Sequence, residues 1–179
     1  CDAGTDGSGT IYGGGAERRE WKADNLIGAK ANPMLPDVVA DTAGAFALAE
    51  LNRPEWGLEL AGRLDLTRSR ARGDLSFVQA AHGIRVINTR TDALPAAYLL
   101  AHRTLGAARL YAGLGHAERA PDPQERYQNL DHPAAGDWVG DPRLDPVRTT
   151  EMQVGAALSL GAWTVRASAF HAWLGDYIT

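Results

Sequence analysis

Histidines and methionines are the side chains of this 179-residue chain best suited to hold a transition metal; the chain has five of the first and two of the second. Imidazole nitrogen and thioether sulfur are the donors that the later first-row metals favour. His82, His116, His132 and Met34 fall in segments that read as loops or strand rims, where an arriving ligand would meet them. They are scattered along the chain. No His-Glu-x-x-His run occurs, and the single cysteine, Cys1, permits neither a Cys-x-x-Cys pair nor an intrachain disulfide. For His116 the plainer role is a hydrogen bond at a rim, and for Met34 a loop anchor. Asp122, Glu125 and Asp131 form an acidic group in one loop, where solvated charge explains them as well as cation binding does. Catalytic patterns are missing too: there is no Gly-x-Ser-x-Gly elbow, no phosphate-binding loop and no dinucleotide fingerprint ahead of a helix. The run "GTDGSGTIYGGG" is rich in glycine but lacks the Lys-Ser/Thr of a phosphate cradle, and it reads as a flexible surface loop. The chain is therefore expected not to be an enzyme.

Composition narrows the classes further. A net charge of -4 and a sequence pI near 5.7 argue against a nucleic-acid partner. With 45% hydrophobic and 22% charged residues, the chain can fold. No stretch approaches the roughly 18 apolar residues of a membrane-spanning helix. A membrane β-barrel remains open, because its strands alternate and stay moderate in hydropathy. Cys1 ahead of "DAGTDGSG" fits both a lipidated mature start and a cut end of a longer chain.

The elements that would position these side chains are strands. In "DPRLDPVRTTEMQVGAALSLGAW", Met152, Val154, Ala156, Leu158 and Leu160 take one side, and Glu151, Gln153, Gly155, Ala157 and Ser159 the other. Trp56, Leu58, Leu60, Gly62, Leu64 and Leu66 alternate in the same way with Glu59, Ala61, Arg63, Asp65 and Thr67. The pattern predicts hairpins pairing 41–52 with 56–68, 92–103 with 107–119, and 149–160 with 163–175, each across a short turn. Residues 69–90 and 120–148 are long, polar connections. Turns thus run short, long, short, long, short, which a compact soluble domain seldom does and an outer-membrane barrel does routinely. Trp163 and Trp173 share one face of one strand, ten residues or about 33 Å apart, the reach needed to join two aromatic girdles across a tilted wall. Glu59, Arg63 and Asp65 would line a wet interior in a barrel or a solvated outer face in a sandwich, and periodicity leaves both open.

At these residues a family resemblance enters. Arg119-Ala120-Pro121, then Asp141-Pro142-Arg143-Leu144-Asp145-Pro146, then a strand with Glu151 and Gly155, then Asp176-Tyr177-Ile178, together resemble the C-terminal half of a TonB-dependent outer-membrane receptor. Val147 stands where that family often has Glu. Gly44–Ala71 is similar to an earlier hairpin of the same barrels, so the resemblance covers roughly residues 37–179. "YAGLGHAERAPD", with His116, is most similar to the copper-receptor branch. The resemblance implies an all-β, antiparallel, up-and-down transmembrane β-barrel portion of about six or more strands, too few to close even an eight-stranded barrel. It implies a Gram-negative cell outer membrane, lipid around the wall, and TonB acting through an N-terminal region and plug that are not recognisable here. It implies no resident cofactor and a transported substrate, copper or an iron chelate. Residues 1–36 are expected to be a polar, Gly-rich loop region with one strand at most, and 37–179 the barrel part. The competing reading is a non-transporting β-barrel or β-sandwich used for binding or adhesion.

Overall fold

A computed structural model describes residues 8–21, 35–73, 75–85, 87–130 and 138–176. Its elements are strands β1 (Ser8–Trp21), β2 (Asp37–Asn52) and β3 (Trp56–Arg72), helix α1 (Ser76–His82), strands β4 (Thr89–Leu105) and β5 (Ala108–Arg119), helix α2 (Pro123–Tyr127), the short strands β6 (Asn129–Leu130) and β7 (Trp138–Val139), and strands β8 (Val147–Leu160) and β9 (Trp163–Gly175). Seven strands form one antiparallel sheet in the order β1-β2-β3-β4-β5-β8-β9, and β6 pairs with β7 separately. Every neighbour in the main sheet is also the next long strand along the chain, an up-and-down meander of hairpins.

The three hairpins lie where alternation put them, with strands up to 17 residues long. About 9–11 residues suffice for a tilted strand to cross a bilayer, so the strands continue well beyond an apolar band at the loop end. Most of the exposed large hydrophobics lie on one face, with Phe46, Phe170 and Leu174 on the other. On one face Leu60, Val154 and Val165 remain 51%, 49% and 57% exposed, with Leu58, Leu64, Leu66, Leu114, Met152 and Leu158 beside them in the exposed set. Trp56 and Trp163 mark the short-turn end of this face and Trp173 the other end, all three exposed. A sandwich would bury these side chains against a second sheet. Among the described residues the only other sheet is the β6–β7 pair, and nothing covers the face.

Two expectations change. The glycine-rich run does not stay a loop: from Ser8 onward it enters β1 and pairs with β2 along its length, Ser8 opposite Leu51 through Trp21 opposite Val38. Glycines carry no side chain whose alternation could be read, so pairing with an established neighbour sets that strand. Second, the long connections are structured. Among the described residues an apolar cluster joins them to the strand ends: Val38, Ala71 and Tyr127 pack together with Leu35 and Leu75 against them, and Val78 of α1 is 1% exposed.

Candidate functional site: an inward trough beneath a folded loop cap

The face opposite the apolar wall holds a cavity of about 560 Å³, lined by Phe46, Ala61, Arg63, Tyr98, Gly115 and Glu151 among others. Cross-strand register explains who meets whom. Ala61 stands opposite Tyr98, and Gly115 opposite both Tyr98 and Glu151, so their side chains share the inward face. The Tyr98 hydroxyl donates to the Glu59 carboxylate, and Arg63 Nε donates to Asp65 Oδ2 at 2.6 Å. The floor between them is small, with Ala61, Ala96, Gly115 and Ala117. On this same face Tyr111 lies over Gly155, its register partner. A Cβ at Gly155 would meet the Tyr111 ring at 2.3 Å, so the glycine is what lets the ring lie flat on the neighbouring strand. The cavity floor is mostly apolar, and Arg63, Tyr98 and Glu151 are among the few polar groups at its edge, while Gln153 lines an adjoining hollow with Glu151.

Above the trough, the two long connections fold into one cap. Asp122 and Glu125 form a capping box at α2, with Pro123 in its first turn. Arg119 donates through both terminal nitrogens to Glu125, at 3.0 Å each. Burial works to raise the Glu125 carboxyl, but Arg119, the Asp122 N–H and Arg126 outweigh it and hold its pKa below the ordinary value. Asp141 opens a turn in which the Leu144 N–H donates to its carbonyl at 3.2 Å and Pro142 occupies the second position. Its carboxylate accepts from Arg143 N–H at 2.8 Å and Nε at 3.0 Å, and the Arg143 hydrogen bond leads in holding its pKa low. Burial pushes the Tyr127 phenol up.

At the centre of the cap, Arg126 is 1% and Asp92 4% exposed. They form a bidentate pair at 2.7 and 2.9 Å, and Arg126 also donates to the Leu144 carbonyl at 3.0 Å. Arg90 extends the network to Asp92, the Pro142 carbonyl and Asp145. The chain crosses itself at Gly140, whose Cβ would fall 2.5 Å from backbone atoms of Arg126 and Tyr127. Gly140 N–H donates to the Gln128 carbonyl, and His82 Nε2 donates to the carbonyl of Gly140 at 3.1 Å.

The expected metal candidates are not brought together. His82 is spent on the Gly140 carbonyl. His116 has the parity of Leu110 and Leu114 and lies outward, its Nδ1 2.8 Å from Thr150 Oγ and its Nε2 3.6 Å from Glu118. His132 and Met34 lie outside the described residues, as does Asp131. Asp122 and Glu125 are engaged in the capping box rather than open to a cation. Among the described residues no three His, Cys, Asp or Glu side chains form a metal cage. The motif residues Arg119, Pro121, Asp141, Pro142, Leu144 and Pro146 converge on the cap, with Pro121 and Pro142 buried, while Glu151 and Gly155 sit on the inward face of β8. Val147, in the place of the familiar Glu, is 6% exposed and begins β8 as a buried apolar residue. Sequence reasoning missed Asp92, Arg126, Arg90, Tyr98 and Tyr111. Parity alone would have placed Tyr98, Tyr111 and Asp92 inward; the pairing of Asp92 with Arg126 has no local signal.

The family described as TonB dependent receptor-like, beta-barrel matches residues 3–179. Among curated protein sequences none matches significantly. A solved structure described as "Copper transporter OprC" superposes with a TM-score of 0.69 at 24% identity, covering 94% of this chain and 28% of that one. At that identity the likeness speaks for the fold, and the chain spans less than a third of that relative's length. The alternating wall and trough are what such a barrel requires, and the chain belongs to the TonB-dependent receptor family, in its β-barrel.

Proposed function

We propose that this chain is part of an outer-membrane receptor that imports a metal ion or metal chelate across the Gram-negative outer membrane, with energy delivered by TonB through a region outside these 179 residues. The observation that carries the reading is the division of the sheet. An uncovered apolar face bounded by tryptophans suits acyl chains, and a cavity of about 560 Å³ on the other face presents Arg63, Tyr98 and Glu151 to an aqueous lumen. Copper or an iron chelate is the substrate class; copper draws support from the described function of the fold relative and from the segment around His116. His116 would serve there as a rim residue and not as a ligand. A polar substrate would be met by the trough's hydrogen-bonding groups and held beneath the cap.

The test uses the complete receptor in detergent, titrated with copper and separately with ferric siderophores. Saturable binding of one of them, weakened about tenfold or more by Arg63→Ala or Tyr98→Phe as expected for loss of hydrogen bonds to a charged guest, supports the reading. No binding of either class, or recovery of the protein in the soluble fraction without detergent, counts for the binding or adhesion alternative.

A further inference from the structure

The outward face ends differently on its two sides just above the apolar band. On the β8–β9 side, Arg148 lies between two carboxylates, Glu118 at 3.6 Å and Asp176 at 3.5 Å, so that rim carries more carboxylates than guanidiniums. On the β1–β3 side the balance is reversed. There Asp41 lies between two guanidiniums, Arg18 at 2.6 Å and Arg70 at 3.7 Å. Register places Arg68 directly beside Asp41 and Thr91, and Arg70 beside Thr89. Arg68 is exposed, directly above Leu66 on the same face. Among the described residues of this side the other carboxylates are Glu20 and Asp37, one and two rows further out, and Asp37 stands opposite Arg72 and is itself engaged. The two rows nearest the band therefore carry Arg18, Arg68 and Arg70 against Asp41 and Glu20.

Geometry lets two of these arginines share one anion. Arg68 and Arg70 are two residues apart on one face, about 7 Å along the strand. The same spacing brings side chains together elsewhere in this chain, Arg63 to Asp65 at 2.6 Å and Arg90 to Asp92 at 3.1 Å. Guanidinium forks match phosphate oxygens, and the acyl chains of a lipid in the loop-side leaflet would lie against Leu64 and Leu66 below.

We propose that Arg68 and Arg70, with Thr89 and Thr91 beside them, bind the phosphate of a lipid headgroup in the loop-side leaflet. The site is a lipid-phosphate clamp on the outer wall, apart from the transport trough, and it rests on the outer-membrane reading above. The test titrates the complete receptor in micelles with diphosphoryl lipid A, its dephosphorylated counterpart and inorganic phosphate, scored by native mass spectrometry. Wild type is expected to retain the phosphorylated lipid about tenfold or more over the dephosphorylated one, the effect of losing charge-assisted hydrogen bonds. R68Q/R70Q loses that preference, R68K/R70K keeps most of it, and R148Q on the opposite rim leaves it intact. Equal retention of the two lipids by wild type, an unchanged preference in R68Q/R70Q, or displacement of the lipid by inorganic phosphate at equal concentration would overturn the clamp. Should R68Q/R70Q fail to fold, the wild-type preference together with R68K/R70K and R148Q decides. A receptor found in the outer-membrane fraction but without phosphate preference defeats the clamp alone; one absent from that fraction defeats both readings.

Discussion

The wall and the cap of this chain are stabilised in opposite ways. The wall leaves its large side chains uncovered, Leu60 at 51% and Trp163 at 77% exposed, and on the proposed reading lipid covers that apolar surface. The cap does what a small soluble domain does: it buries Val38, Tyr127 and Val78 and encloses the Asp92–Arg126 pair. The wall's backbone is satisfied by ladders between neighbours, the cap's by helix caps, turns and side chains donating to carbonyls. On the proposed reading two solvents act on one sheet, and the strands are long enough to pass from one into the other. The position of a charge along a strand shows the crossing: Arg63 and Asp65 are inward, while on the outward face β3 is apolar through Leu66 and carries charge from Arg68.

The largest contrast comes from the buried pair. Asp92→Ala strands the Arg126 charge in the cap and is expected to destabilise it by about 3–5 kcal/mol, while replacing both partners with apolar residues of similar size restores most of the loss. Hydrogen exchange of residues 120–130 and 138–146 in the complete receptor reads this out, and the wall should be unaffected. Next, Leu60→Arg places a cation in the middle of the apolar band and should cost about 2–4 kcal/mol in bilayer folding measurements, leaving cap exchange unchanged. If Leu60→Arg were neutral, the wall would not be a lipid surface.

Two glycines refine the comparison. Gly140→Ala forces a Cβ onto backbone at 2.5 Å and is expected to cost about 1–3 kcal/mol in the cap, as overpacking does. Gly155→Ala meets only the far end of the Tyr111 ring, which can swing into the trough; its cost should stay below about 1 kcal/mol, with a local change in Tyr111 environment seen by fluorescence or NMR. Equal losses at both sites would mean that wall and cap are equally rigid.

The smallest effect is pH dependence. Glu125 and Asp141 have folded pKa values held below the ordinary carboxylate range. The sign follows from linkage: a depressed carboxylate contributes stability that is present above its unfolded value, near about 4, and is lost as pH falls through the lower folded value. Acid should therefore loosen the cap before the wall, visible as increased protease sensitivity of residues 120–130 and 138–146 below about pH 4 with the strands intact.

Much of the wall was legible because its signal is local. Leu58 through Leu66 and Met152 through Leu160 alternate with no interruption, and a period of two is a property of a single strand. β1 was hidden because Gly13, Gly14 and Gly15 have no side chains to alternate, and its place came from β2. The outward position of His116 follows from the parity it shares with Leu110 and Leu114, whereas the resemblance of its segment to copper receptors carries no information on which face it takes. The cap was the least legible part. The Arg119–Glu125 contact spans only six residues and lies within one connection. The Asp92–Arg126 pair spans 34 residues and depends on two connections meeting above the sheet, which no periodicity encodes.

The central claim is that one face of the sheet meets acyl chains and the other meets water. Spin labels at single cysteines, placed in the complete receptor reconstituted in bilayers, test it most directly: L60C, V154C and V165C on one face, A61C, Q153C and R166C on the other. The account predicts that the first set is accessible to oxygen and shielded from a water-soluble nickel complex, and that the second set shows the reverse. Labels at residues 60, 154 and 165 shielded from both reagents would place those side chains in a dry protein interior and contradict it.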